Sequence, residues 1–272
     1  MSKRKVIIAG LPNAGKTTYI AALNGLINNS AAFSLVKNGT SKEQQYLNDV
    51  SGEWLRCREV KRSTDETPHF IDFPVKEKDS DTSFTIDLPD VKGEMFEDII
   101  QNDFDENLEK YCKGADGVLY FINELEDLML KSEAKEILGE NVESNSSMTD
   151  GNKIVITPDK LTGMARNILV LKYLRQIMGD VRLVVAVSSW DEEEAQYATI
   201  EDYFIKKCPA LYNFIRFHFS NFKLYGVSSQ GGNYKKGTEG LDERMEANER
   251  SYVFDTERHN DLSLPLAYLI AE

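Results

Sequence analysis

No stretch of apolar residues in this chain approaches the roughly 20 that a bilayer crossing needs. One apolar run does follow a basic cluster, Lys3, Arg4 and Lys5, but it is only about six residues long, too short for the core of a secretory signal. A membrane-spanning or exported protein is therefore not expected, and a cytoplasmic one is. Cysteine is scarce too: Cys57, Cys112 and Cys208 show no paired spacing, which excludes a disulfide framework or a cysteine-built metal site and fits a reducing compartment. Basic charge is in deficit, with 32 Lys and Arg against 45 Asp and Glu, so the formal charge of −13 repels nucleic-acid backbones and anionic lipid. Nucleic acid is not expected as a partner. A second core and an internal repeat are also missing. With 41% hydrophobic and 10% aromatic residues, 1–272 reads as a single domain able to bury a full core.

What is present begins at Val6. Val6-Ile7-Ile8-Ala9 is a short apolar run, Gly10-Leu11-Pro12-Asn13-Ala14-Gly15-Lys16-Thr17 follows, and Tyr19, Ile20, Leu23, Leu26 and Ile27 then recur at helical spacing. The order is strand, glycine-flanked loop, helix, with the G-x-x-x-x-G-K-[ST] spacing of a phosphate-binding P-loop. A triphosphate crowds negative charge into a small volume, and backbone N–H groups can surround it only where side chains leave room, hence the glycines. Lys16 is expected to meet the β- and γ-phosphates, the Thr17 hydroxyl to ligate Mg²⁺, and the helix N-terminus to add its dipole. Gly10, Asn13, Ala14, Gly15, Lys16, Thr17 and Thr18 are the expected phosphate-side contacts. The plain alternative is a chance turn between a strand and a helix.

Further along, residues 31 to 66 are mostly polar and read as a long connection, with Trp54 and Leu55 scattered in it. His69–Val75 and Thr82–Leu88 alternate as an antiparallel hairpin around Lys76–Asp81. Pro89–Glu94 reads as a loop and Met95 to about Cys112 as an acidic amphipathic helix. Gly117–Ile122 and Val181–Val187 are continuous apolar runs suited to buried parallel strands. Residues 124–157 read as an insertion. A helix follows, through Leu161, Met164, Ile168, Leu171, Leu174 and Ile177, ending at Gly179. A further helical stretch, Thr199–Phe219, should break at Pro209. Phe222–Val227 should close the sheet, 231–260 is a polar segment, and Leu262–Ala271 forms a short helix packing back on it. The alternation predicts an α/β fold: three layers, a mostly parallel sheet with helices on both faces.

A P-loop alone does not separate a GTPase from an ATPase or a small-molecule kinase, so the later loops decide. Asp90-Val91-Lys92-Gly93 places a carboxylate and a glycine where a Mg²⁺ shell and a γ-phosphate need them; Asp87 is the rival for the metal. Thr67, with Thr64 as its competitor, precedes the second strand and could complete the Mg²⁺ shell; both could equally be solvated loop threonines. Ser188-Ser189-Trp190-Asp191 follows a strand. A carboxylate there only accepts, so Asp191 suits the N1–H and N2–H₂ of guanine, although an N-cap for the next helix is the plainer role. Ser228, Ser229 and Gln230 follow the last strand and could meet the same base through backbone N–H.

Together these loops resemble the five signature loops of Ras-like GTPases in the large P-loop GTPase class, over about residues 5 to 231. Residues 10–17 are similar to the first loop, Thr67 to the second, Asp90–Gly93 to the third, Ser188–Asp191 to the fourth and Ser228–Gln230 to the fifth. Ser188 and Ser189 stand where the fourth loop usually has Asn and Lys, and Glu94 stands where many relatives have Gln. The Ser-Ser-Trp-Asp spelling, the long segment before Thr67 and the insertion resemble bacterial double-GTPase components of multi-gene conflict systems. The resemblance implies GTP and GDP with Mg²⁺ as ligands and Lys16, Thr67, Gly93 and Glu94 as the hydrolytic set. It implies switch regions near 55–68 and 88–98, and a protein partner: an effector, a regulator or another GTPase subunit. A GTP-binding scaffold with negligible turnover and an ATP-dependent ATPase or kinase are the alternatives.

Overall fold

The computed structural model describes residues 2–28, 31–60, 69–79, 83–90, 96, 99–101, 106–123, 161–232, 241 and 246–271. Its strands are β1 (Ser2–Arg4), β2 (Val6–Ala9), β3 (Leu35–Lys37), β4 (His69–Glu77), β5 (Ser83–Asp90), β6 (Gly117–Ile122), β7 (Arg182–Ser188), β8 (Phe222–Ser228), β9 (Tyr252–Phe254) and β10 (Arg258–His259). The helices are α1 (Lys16–Leu26), α2 (Gln44–Leu55), α3 (Glu106–Cys112), α4 (Gly163–Met178), α5 (Trp190–Glu193), α6 (Ile200–Lys207), α7 (Pro209–His218), α8 (Ala247–Arg250) and α9 (Leu264–Ile270).

One line of chain joins two sheets. β1 pairs in parallel with β5, and after Lys5 the same line continues as β2, which pairs in parallel with β6. Asp116 holds the junction: Oδ2 accepts from the Lys5 N–H at 2.8 Å, while its own N–H donates to Lys5 O at 2.7 Å. The first sheet runs β1-β5-β4-β3 and the second β10-β9-β8-β7-β6-β2. In the second, β2, β6, β7 and β8 are all parallel, and β9 and β10 are added antiparallel.

Alternation across the strands sorts the core into two halves. Val6, Ile8, Leu119, Phe121, Val184 and Ala186 face α1, α2 and α9. Ile7, Ala9, Val118, Tyr120, Val185 and Val187 face α3, α4, α6 and α7. Strands buried on both faces explain why β2 and β6 are apolar without a break. The result is a three-layer α/β fold with a mostly parallel six-stranded sheet. Helix ends follow local chemistry. Thr162 caps α4 by accepting from the Ala165 N–H at 3.2 Å, and Gly179 ends it at φ +77°. Thr199 caps α6 likewise, and Pro209 opens α7, where no N–H is needed. The expected break at Pro209, the β4–β5 hairpin and the final helix are all present.

Three expectations need correction. Residues 31–60 are not a plain connection: β3 and α2 lie there, and α2 buries Leu47, Val50, Ser51 and Trp54. Polar pairing compensates for its sparse apolar stripe, because Asn24 of α1 donates to Ser51 Oγ at 2.9 Å and Ser51 Oγ donates to Ala21 O at 2.9 Å. β8 does not close the sheet, since β9 pairs beyond it, over residues 252–254 within the polar segment. β5 runs through Asp90 rather than ending at Leu88, with Pro89 beyond the reach of the parallel pairing to β1, which spans Phe84–Ile86. The expected insertion at 124–157 lies outside the described residues.

Candidate nucleotide site

At the C-terminal end of β2 the chain turns at Gly10, whose φ is +146°; a Cβ there would lie 2.4 Å from Phe121 O on β6. No side chain fits. Asn13 (φ +62°) and Gly15 (φ +87°) are both left-handed, and Gly15 opens α1. A Cβ on Gly15 would meet Ser188 Cβ at 2.9 Å, so the first loop packs directly on the end of β7. Lys16 is 6% exposed and folds back over the loop, Nζ donating to Gly10 O at 2.7 Å and Leu11 O at 3.0 Å. A buried ammonium held by two carbonyls is stored beside the N-terminus of an 11-residue helix with no acidic residue in its first turn. Thr17 and Thr18, half-buried, lie in that turn, and Ala14 is buried under the loop. Asn123, just past β6, donates from Nδ2 to Asn13 O at 3.2 Å.

The second part lies at the ends of β7 and β8. Ser188, the last residue of β7, donates from Oγ to Ile122 O at 3.2 Å. Ser189 is left-handed (φ +52°) and exposed, a turn that sends Trp190 inward. The Trp190 ring is fully buried, stacked on Phe254 at 5.3 Å and edge-on to Tyr203 at 5.6 Å. It occupies the space that Gly226 leaves on β8, where a Cβ would come within 2.3 Å of the indole. Anchored this way, the next residue, Asp191, is half-buried and its Oδ1 accepts from Ser228 Oγ at 2.5 Å. No other donor reaches that carboxylate among the described residues. Ser228 Oγ also accepts from the Gly231 N–H at 3.2 Å, closing the turn over Ser229 and Gln230.

The short helix carrying Asp191 is fastened from below. Arg258 of β10 donates from Nε to Glu194 Oε1 and from Nη2 to Oε2, each at 2.7 Å, with Nε also 3.0 Å from Oε2, and lies over the Tyr252 ring at 4.4 Å. Tyr252 donates to Glu194 Oε2 at 2.6 Å. The Arg258 hydrogen bond holds the Glu194 carboxyl below its ordinary range; burial, then the bond to Glu194, pushes the Tyr252 hydroxyl up.

The structure therefore brings together the first, fourth and fifth loops: Gly10 to Thr18 on one side, Ser189, Asp191, Ser228, Ser229 and Gln230 on the other. Asp90 ends β5, in register with His69 of β4. Thr64, Thr67, Gly93 and Glu94 lie outside the described residues. Sequence reasoning missed Asn123, Trp190 as an anchor, and Trp54, Arg250 and Ser251, which bear on Ser229. Gly226 inside an apolar strand was the available signal for the Trp190 packing.

No curated protein sequence matches the chain. Among solved structures it is similar to Roco2 RocCORdC of Methanosarcina barkeri bound to GDP, with 14% identity over 87% of this chain and TM-score 0.39. The chain spans 46% of that Roco2 chain. It is also similar to the Arl6 BBS3 small GTPase of Trypanosoma brucei with a bound nucleotide analogue, with 13% identity over 88% of this chain and 94% of that one, TM-score 0.38. The model of the family described as Double-GTPase 1 matches residues 7–269. That match spans nearly the whole chain, first loop to last helix, and the chain belongs to the Double-GTPase 1 family of GTP-binding P-loop GTPases.

Proposed function

We infer that this chain binds GTP and GDP with Mg²⁺, hydrolyses GTP slowly, and passes its nucleotide state to a partner protein through loops near 55–68 and 88–98. What supports it most is the meeting, at one end of a parallel sheet, of a glycine-built loop with a stored ammonium and a loop presenting the Asp191 carboxylate. A triphosphate entering the first loop would take the Lys16 ammonium from the Gly10 and Leu11 carbonyls and meet N–H groups at the start of α1. The Thr17 hydroxyl and the Asp90 and Thr67 side chains are hard oxygen donors, the set that suits Mg²⁺. Bound there, the ion would supply charge neutralisation for the phosphates. Asp191 would accept from guanine N1–H and N2–H₂, and the Ser228–Gln230 backbone would meet the same base. The protein is read as one G domain with an insertion near 124–157, cytoplasmic, its partner an effector, a regulator or a second GTPase subunit.

Slow turnover follows from Glu94. Beside Gly93, whose N–H would meet the γ-phosphate, an ionised carboxylate has no proton to donate and adds negative charge near an anionic group. Intrinsic turnover at or below about 10⁻³ s⁻¹ is expected, with a gain of about 10³ to 10⁵ if a partner supplies an arginine. Glu94→Gln should raise the intrinsic rate. The same residue favours a second reading, a GTP-binding scaffold without turnover. Competition of GTP against ATP for the purified protein tests the base reading, and equal binding would overturn it. Single-turnover phosphate release separates slow hydrolysis from none.

A further inference from the structure

The Ser229 carbonyl receives two hydrogen bonds from remote parts of the chain: Trp54 Nε1 at the end of α2 donates at 2.9 Å, and Ser251 Oγ at 2.9 Å. Between these donors sits Arg250, 4% exposed, its guanidinium 4.5 Å from the Trp54 ring centroid. Arg250 Nη2 donates to Trp54 O at 3.0 Å and Nη1 to Cys57 Sγ at 2.7 Å. The loop lies directly on this pair, because a Cβ on Gly231 would fall 2.3 Å from Arg250 O. Cation–π stacking and a charge-assisted bond to the same residue fix the indole in one orientation.

A peptide unit is planar and trans, so its C=O and N–H point in opposite directions. Two donors that fix Ser229 O therefore also fix the direction of the Gln230 N–H. Among the described residues nothing accepts from that N–H, and both Gln230 side-chain amide atoms are buried without a partner, although the residue is only 7% exposed. Unpaired donors inside a folded protein are uncommon and point to a missing acceptor.

The geometry points to Trp54, Arg250 and Ser251 as positioning residues for the nucleotide base: they aim the Ser229–Gln230 peptide so that its N–H meets guanine O6. This rests on the guanine reading of the Asp191 loop. It extends that reading by giving α2 and the C-terminal segment a task in recognition, and by tying the base loop to the stretch that begins at Leu55.

The test compares GDP with 6-thio-GDP, which keeps the N1–H and N2–H₂ facing Asp191 but offers a weak sulfur acceptor at position 6. Trp54→Phe keeps the ring beneath Arg250 and removes only the indole N–H. GDP affinity should fall about 3- to 10-fold, the weight of one hydrogen bond, and 6-thio-GDP affinity less than about 2-fold. Ser251→Ala should act in the same direction, and it carries the test if Trp54→Phe does not fold. Equal losses for both ligands, or a lowered melting temperature with unchanged affinities, would overturn the proposal and reduce the cluster to packing. Equal binding of GDP and ADP by the wild type would instead remove the guanine reading beneath it.

Discussion

The two ends of the proposed nucleotide site are built on different plans. The phosphate end is nearly contiguous: eight residues from Gly10 to Thr17, with backbone shape set by Gly10, Asn13 and Gly15 and charge set by Lys16. The base end lies past β7 and β8 and is held by side chains from remote parts of the chain: Ser228 of β8 on Asp191, and Trp54 of α2 and Ser251 of the C-terminal segment on Ser229. Phosphates are alike on every nucleotide and need a cradle of N–H groups that a short loop supplies by itself. Discrimination of one base needs a few groups at fixed mutual positions, and those must come from packing.

The largest effect that should separate the two ends is Lys16→Ala. Loss of charged contacts to two phosphates should weaken GTP by about 10² to 10⁴ and weaken tripolyphosphate comparably, measured by calorimetric titration. A similar affinity for wild type and variant would show that the ammonium does not serve the phosphates. Asp191→Asn acts on the other end only. Preference should move toward xanthine nucleotides, whose C2 oxygen can accept from an amide, by up to about 10⁴ if pairing alone decides the base, with tripolyphosphate binding unchanged. Gly226→Ala comes next, since its new methyl would press into the Trp190 ring. Overpacking should cost about 1 to 3 kcal/mol in urea unfolding and loosen GDP more than tripolyphosphate. Equal loosening of the two would erase the boundary drawn between the ends. The smallest effect is on pH. Glu194, whose ordinary value is 4.5, is held low by Arg258, so its contribution is present above that value and is lost as pH falls through the folded one. Glu194→Gln should flatten the decline of the urea midpoint as pH falls below 4.5.

That division also explains what could be read from the sequence. The β2–loop–α1 unit, the β4–β5 hairpin, β6, α4 with its Gly179 stop and the Pro209 break each carry their signal within a dozen or so neighbouring residues, as periodicity, a cap or a glycine. α2 carries Leu47, Val50 and Trp54 as its only buried apolar residues, and it docks through Asn24 and Ser51, which single-sequence periodicity does not register. β9 is three residues long and exists because β8 offers it an edge. In the proposed site, the position of Asp191 and of the Ser228–Gln230 loop at the ends of strands could be read from the sequence. Trp54 was visible but mute, because its partner Ser229 lies 175 residues away.

The rims of the two sheets set a limit on how this protein can meet others. Among the described residues, one ends in β3, three residues bearing Lys37, and the other in β10, two residues bearing Arg258. Such short, charged margins give an incoming strand almost no ladder to grip, a guard against runaway edge-to-edge polymerisation. At these two margins strand addition offers a companion molecule little hold, whereas helical faces and loops are surfaces whose shape a bound ligand can alter.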